Sequence, residues 1–420
     1  MIRVPREAPD TSYRSDRRTF LRRAAVVGIV APIVGETPPT IGAVGCDGVR
    51  SVPTRDTEQS EPPGAGSAEW YMDSADTGRT RTVASSAGPT DVPEVRWRFT
   101  GATGLTVPLA ATPDTVFVAS TDTNLYAVDA ATGTERWRFD ESAGHMLATA
   151  VVDGTVYSGT DPREGTVYAL DAKTGVVEWR FTEPTDGTAG PTVVDGTVYV
   201  GAGPQDRNLY ALDAATGTER WRFETPAGGF TSPVVVGDTL YVGSGRGTTA
   251  LYAVDAATGA ERWRFLAQGY VNSPAVVGDT VYATTSTPDS NVYALDATTG
   301  EERWRFTGAT DGTYGPAVAA NTVYVGSGWK DATLYALDAK TGAERWRFDA
   351  PTDLVTDPAV VDDTVYCASQ NGVVYALDAA TGDERWRFEE ATDGAVLPMV
   401  VGDTLYFGTD VNDTGVYALA

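Results

Sequence analysis

The residues able to carry chemistry are few and scattered. His145 is the single histidine, and its surroundings, Gly144-His-Met146, hold no acid or base to work with it, so it reads as a loop residue. The cysteines, Cys46 and Cys367, are too few for a disulfide framework. Cys367 stands in Val365-Tyr-Cys-Ala368, where comparable stretches place Val200, Val242 or Val325, and so reads as a small buried hydrophobe. Asp410-Val-Asn412-Asp413 offers oxygen ligands but lacks the downstream Glu of a calcium loop, and similar polar runs recur along the chain. No Ser-His-Asp or Cys-His constellation can be assembled, and no phosphate-cradling glycine loop. Catalytic and metal-binding residues are therefore expected to be none.

The elements that would position any site are repeats. Tryptophans fall at Trp97, Trp137, Trp179, Trp221, Trp263, Trp304, Trp346 and Trp386, a period of 40 to 42 residues. Such a period marks a repeat architecture. In residues 191–223 a short apolar strand from Pro191 turns at Asp195-Gly196 into Thr197-Val-Tyr-Val-Gly201. After a polar loop, Leu209-Tyr-Ala-Leu-Asp213 turns at Thr216-Gly217 into Glu219-Arg-Trp-Arg-Phe223. This is a four-stranded antiparallel meander. Stacked radially, such units form a β-propeller with short, protected edges. The middle Arg of Trp-Arg-Phe is present in all eight outer strands, and six also carry Glu-Arg before the Trp. These charges read as solvated guards against edge-to-edge pairing. Trp97-Arg-Phe99 lacks a preceding Tyr-Ala-Leu, and Tyr417-Ala-Leu-Ala420 lacks a following Trp-Arg-Phe. The repeat therefore predicts an all-β, eight-bladed propeller over 95–420, with residues 95–99 completing the C-terminal blade beside 415–419.

The chain has 420 residues and a formal charge of −25, with only three Lys. So acidic a surface disfavours phosphate backbones, which excludes nucleic acid as an expected partner. It also suits solubility by self-repulsion in high salt, as in a halophilic protein. Residues 1–45 differ, with seven Arg against four acids. Arg17-Arg18-Thr-Phe20-Leu21 precedes an apolar run of 12 residues, Ala24 to Gly35, too short to span a bilayer. The paired arginines resemble a twin-arginine export signal. Ala43-Val-Gly-Cys46 resembles a lipoprotein cleavage box, with Cys46 lipidated and tethering the chain to a membrane. Residues 46–68 read as a flexible tether and 69–94 as a lead-in packing against the propeller's side or base. The expected location is the outer face of the cytoplasmic membrane or the extracellular space.

The pattern Ala-x-Asp-x-x-Thr-Gly-x-x-x-Trp, met in seven full copies and one split copy, resembles the tryptophan-docking repeat of quinoprotein (PQQ-like) propellers. The resemblance implies that each outer Trp packs on the Thr-Gly turn of the next blade. It also implies two functions. Propeller lipoproteins of outer-membrane assembly bind a partner protein through loops on one face. Other members are calcium- and quinone-dependent dehydrogenases, whose cofactor lies between a Trp and adjacent cysteines. No adjacent Cys pair exists here. The expected function is thus a protein- or ligand-binding scaffold without cofactor, monomeric, with PQQ and calcium only under the dehydrogenase alternative. Loops carry function more often than strands. The candidate binding face comprises Phe230, Tyr270, Tyr314, Leu354, Arg246 and Trp329, with the first three expected around the central channel, either as a binding patch or as its plug.

Overall fold

A computed structural model describes residues 82–83 and 88–420, except 227, 246, 329, 352–355, 392–393 and 410–413; for 82–83, 106–109 and 396 it describes the backbone only. Every described element is a strand. Blade 1 runs from the inside outward as Thr106–Thr112, Thr115–Ser120, Leu125–Asp129 and Glu135–Phe139. Six further blades repeat this order, each an antiparallel meander, ending with blade 7 at Glu384–Phe388. Blade 8 takes three strands, Ala395–Val401, Thr404–Thr409 and Val416–Leu419, from the C-terminal end of the chain. Its fourth is Val95–Phe99, in the register Val95↔Leu419, Trp97↔Ala418 and Phe99↔Val416. Reciprocal bonds between Glu94 and Ala420, at 3.0 and 3.1 Å, extend the pairing. The innermost strands touch one another in sequence, and that of blade 8 touches that of blade 1. The ring is closed as its split repeat requires.

Period-two alternation produces the packing. Second and third strands are buried on both faces, as in Val116–Ser120 and Leu125–Val128, because each blade is covered by a neighbour on either side. The fourth strand alternates buried and exposed residues, as in Val177–Phe181. Hydrophobic clusters accordingly lie between blades: one gathers Tyr157, Val167 and Trp179 of blade 2 with Val193, Val198 and Tyr210 of blade 3.

Each Asp-x-x-Thr-Gly turn is a built receptor for the preceding blade's Trp. The Trp304 indole donates to Ala339 O at 3.0 Å and lies flat against Gly342. That glycine has φ +70°, and a Cβ there would stand 2.5 Å from Trp304 Cε3. Only glycine meets both conditions without strain. Six other tryptophans dock in the same way, on Ala130, Ala172, Ala214, Ala256, Ala297 and Ala379. Blade 8 has no such turn, because its third strand, Val416–Leu419, is not joined in sequence to its fourth, Val95–Phe99. Trp386 instead donates to Pro89 O at 3.0 Å, so the lead-in supplies the missing receptor.

The lead-in also reaches further than the side or base. Thr82–Val83 pairs in parallel with Val360–Val361, adding a strand on the channel side of blade 7. The rest of the lead-in, residues 69–81 and 84–87, on which the expected side-or-base packing falls, lies outside the described residues. The innermost edge of a blade has free backbone groups, and a parallel segment satisfies them.

Candidate functional site

The crossovers between blades and the loops from second to third strands share one face. What holds them is an acid four residues before the third-strand Tyr. Asp206 accepts the Tyr210 hydroxyl at 3.0 and 3.1 Å and the Thr185 amide, on the crossover entering blade 3, at 2.7 Å. Asp122, Asp289 and Asp331 repeat this with Thr103, Gln268 and Thr310 at 2.8, 3.2 and 3.0 Å. In blade 2 the longer Glu164 takes the amides of Ala143 and Gly144, both at 3.2 Å, and the Ser142 hydroxyl at 2.6 Å. Burial, together with the neighbouring acid, pushes the Tyr126 hydroxyl up to about 12 and those of Tyr168, Tyr210 and Tyr335 higher still. Two more acids are buried. Asp186 accepts Gly187 and Gln205 amides, each at 2.9 Å, and Asp311 accepts those of Gly312 and Lys330. Among the described residues, these loop acids are thus engaged in holding backbone.

His145 is not isolated. Its Nδ1 stands 3.2 Å from Asp161 Oδ2, Arg163 Nη1 meets its Nε2, and its carbonyl accepts the Asp161 amide at 3.0 Å. The loop fold brings in what the flanking sequence lacks. Burial dominates its titration and lowers its pKa, Arg163 adding to that and Asp161 opposing it. The group braces the blade 2 crossover.

The expected aromatic trio does not gather. Phe230 is 4% exposed and packs on Phe223 and Tyr252, centroids 6.1 Å away in both cases. It fills the seam between blades 3 and 4, because Gly229–Phe230 pairs with Ser244–Gly245. Tyr270 and Tyr314 are half-buried on consecutive crossovers. Tyr270 lies over Gly245, where a Cβ would collide with its ring. Burial, then the carboxylates of Asp357 and Asp311, push the Tyr314 hydroxyl well up. Asp357 in turn accepts the Gly315 amide at 2.7 Å. Arg246, Trp329, Leu354 and the run 410–413 lie outside the described residues, as do Arg17, Arg18, Phe20, Leu21 and Cys46. Cys367 is fully buried, and burial pushes its thiol up to about 12.

The opposite rim is a ring of charge. Arg303 binds Asp279 and Asp296 at 2.8 and 2.7 Å and Thr280 Oγ1 at 2.6 Å. Asp296 uses its other oxygen to hold the Thr298 and Thr299 amides at 2.9 Å. Arg136, Arg262 and Arg385 repeat the double bridge. In six blades the Arg of Trp-Arg-Phe is engaged as well, by the Glu three residues before it. Arg222 pairs with Glu219 and lies over the Tyr210 ring at 5.3 Å.

Eight radial blades, seven of whose seams are locked by an indole on a glycine, define the class: a tryptophan-docking propeller. The family model described as outer membrane protein assembly factor BamB matches residues 89–201, 125–248, 163–304 and 288–420, and the chain belongs to that family of PQQ-like propellers. BamB from Moraxella catarrhalis is similar in structure, with TM-score 0.63 and 20% identity over 78% of this chain and 97% of that one. The quinohemoprotein alcohol dehydrogenase from Comamonas testosteroni gives 0.70 at 14% identity, over 84% and 80%. The computationally designed Ika8 protein gives 0.70 at 18%, over 77% and 99%. These likenesses concern the fold. No curated protein sequence matches the chain.

Proposed function

We propose that the chain is an exported propeller, tethered through a lipid on Cys46, that binds a partner protein or ligand through its loop face outside the cytoplasmic membrane. The observation that carries this reading is the pinning of that face. Five carboxylates hold its crossovers by backbone amides, giving a rigid platform on which the variable loop residues are displayed. Preorganisation of this kind lowers the ordering cost of binding. Membership in the BamB-like family supports a protein as the partner.

The dehydrogenase alternative finds less support. A quinone stacked on adjacent cysteines has no counterpart, since Cys367 is buried in a strand and Cys46 is remote in sequence. Among the described residues no three His, Cys, Asp or Glu side chains stand together as metal ligands. Neither feature lends the cofactor support among the described residues.

Placing a photo-crosslinking benzoylphenylalanine at Tyr270 or Tyr314, and at the exposed rim residue Ala380 as control, tests the reading in the source cells. A discrete adduct from the loop-face positions and none from Ala380 is expected. Adducts from Ala380 alone, or from none of the three, contradict it.

A further inference from the structure

In blades 1, 2, 3, 5 and 6 an acid stands four residues before the third-strand Tyr: Asp122, Glu164, Asp206, Asp289 and Asp331. In blade 7 that place, four residues before Tyr375, is held by Asn371. Gly372 follows it, and this is the single Asn-Gly pair of the chain.

The loops of blades 1 and 7 have the same length and the same frame. Ser120 N donates to Asn124 O at 3.1 Å, and Ser369 N to Val373 O at 2.9 Å. The residue after the acid position has a positive φ in both, +76° at Thr123 and +91° at Gly372. Asn371 therefore occupies the seat of Asp122, whose Oδ2 accepts the Thr103 amide and the Tyr126 hydroxyl, each at 2.8 Å. A carboxylate offers two acceptor oxygens and a carboxamide only one, and Asn371 Oδ1 already meets the Ser369 hydroxyl.

The same surroundings expose the amide to chemistry. Asn371 is exposed to solvent, and the glycine after it has no side chain to obstruct ring closure. The Ser369 hydroxyl on Oδ1 draws electron density from the amide carbon, which favours attack there. The Gly372 amide donates to Ser369 O at 3.0 Å, so the turn must open before its nitrogen can react. Opening of an exposed loop is local and needs no global unfolding.

We propose that Asn371 is a deamidation site whose product adds blade 7 to the pinned set. The Gly372 nitrogen gives up its proton and bonds to Asn371 Cγ. The bond from Cγ to the side-chain nitrogen breaks, ammonia leaves, and a five-membered succinimide closes. Water then opens the ring. Cleavage between the Gly372 nitrogen and Cγ gives aspartate with a normal main chain, whereas cleavage at the main-chain carbonyl gives isoaspartate. The net change is one water consumed and one ammonia released, with no oxidant or reductant. Only the aspartate product keeps the main-chain length on which the bond from Ser369 to Val373 depends. Its carboxylate accepts the Tyr375 hydroxyl and clamps the crossover entering blade 7, as Asp122 does in blade 1.

Peptide mapping by mass spectrometry of the full chain, aged at mildly alkaline pH beside a denatured control, tests this. The mass gain of an amide-to-acid exchange is expected at Asn371, slower in the folded chain than in the control, with aspartate among the products. Asn371→Asp supplies that product directly and should melt about 1–2 °C above freshly purified wild type. Aged wild type should move toward it, while Asn371→Gln, whose longer side chain closes a ring far more slowly, should neither gain mass nor drift. No gain at Asn371 while the denatured control converts, or isoaspartate alone, overturns the proposal. So does an Asn371→Asp chain that melts no higher than fresh wild type, or a drift that persists in Asn371→Gln.

Discussion

At the scale of single residues, the docking Trp does two jobs, and it shares one of them. Trp304 and Tyr282 both donate to Ala339 O, at 3.0 and 3.1 Å, and the same sharing joins Tyr199 with Trp221 and Tyr366 with Trp386. The Trp was legible because it recurs at fixed spacing beside Thr-Gly. The Tyr was not, because a second-strand tyrosine looks like any β-forming aromatic until the next blade's carbonyl is placed beside it. Blade 1 has Phe117 at that position, so only Trp137 donates to Ala172 O there. Phe117→Tyr should therefore stabilise the chain by about 0.5–1.5 kcal/mol. Trp304→Ala should cost about 3–5 kcal/mol, through lost packing and the loss of one of the two hydrogen bonds to Ala339 O. Denaturant midpoints of the two variants check both signs.

At the scale of the elements, the turns and loops are held by acids whose roles differ by rim. On the turn rim, Asp129, Asp255, Asp279, Asp338 and Asp363 are held down at about 2, first of all by hydrogen bonds from their arginines. A depressed carboxylate contributes stability that is present above its unfolded value, about 3.9, and is lost as pH falls through the folded one. The melting point should thus be level from neutral pH to about 5 and fall between about 4 and 2. Arg303→Met should shallow that fall, since Asp279 and Asp296 lose their partner. On the loop rim, the acid four residues before the third-strand Tyr pins the crossover. Asp206→Ala should speed hydrogen exchange at the Thr185 amide while leaving Thr310, pinned by Asp331, unchanged. Sequence reading separated the loops from the strands but took recurring acids such as Asp122 and Asp206 for generic polarity. Their partners lie about 20 residues away on another loop, a distance that no local pattern exposes. The same limit hid the partners of His145 and the burial of Phe230, which depends on an added pairing in blade 4.

At the scale of the whole molecule, closure was legible because the split repeat leaves one strand unmatched at each end of the pattern. The second anchorage of the lead-in was not, since Thr82-Val and Gly88-Pro carry no repeat signal. A chain beginning at Val95 keeps the blade 8 strand but loses the Pro89 carbonyl shared by Trp386 and Tyr366. It should melt below one beginning at Thr82. The net charge of −25 should make stability rise with salt, because self-repulsion is screened over a Debye length of about 3 Å at 1 M; a melting point indifferent to salt speaks against halophilic adaptation. The most direct test of a binding scaffold, as against a quinone enzyme, is a titration of the folded chain in high salt with pyrroloquinoline quinone and calcium, following melting point and dye-linked alcohol oxidation. A ligand that binds only the folded state raises the melting point by mass action. The account predicts no saturable rise and no turnover; a saturable rise accompanied by alcohol oxidation would contradict it and make the propeller an enzyme.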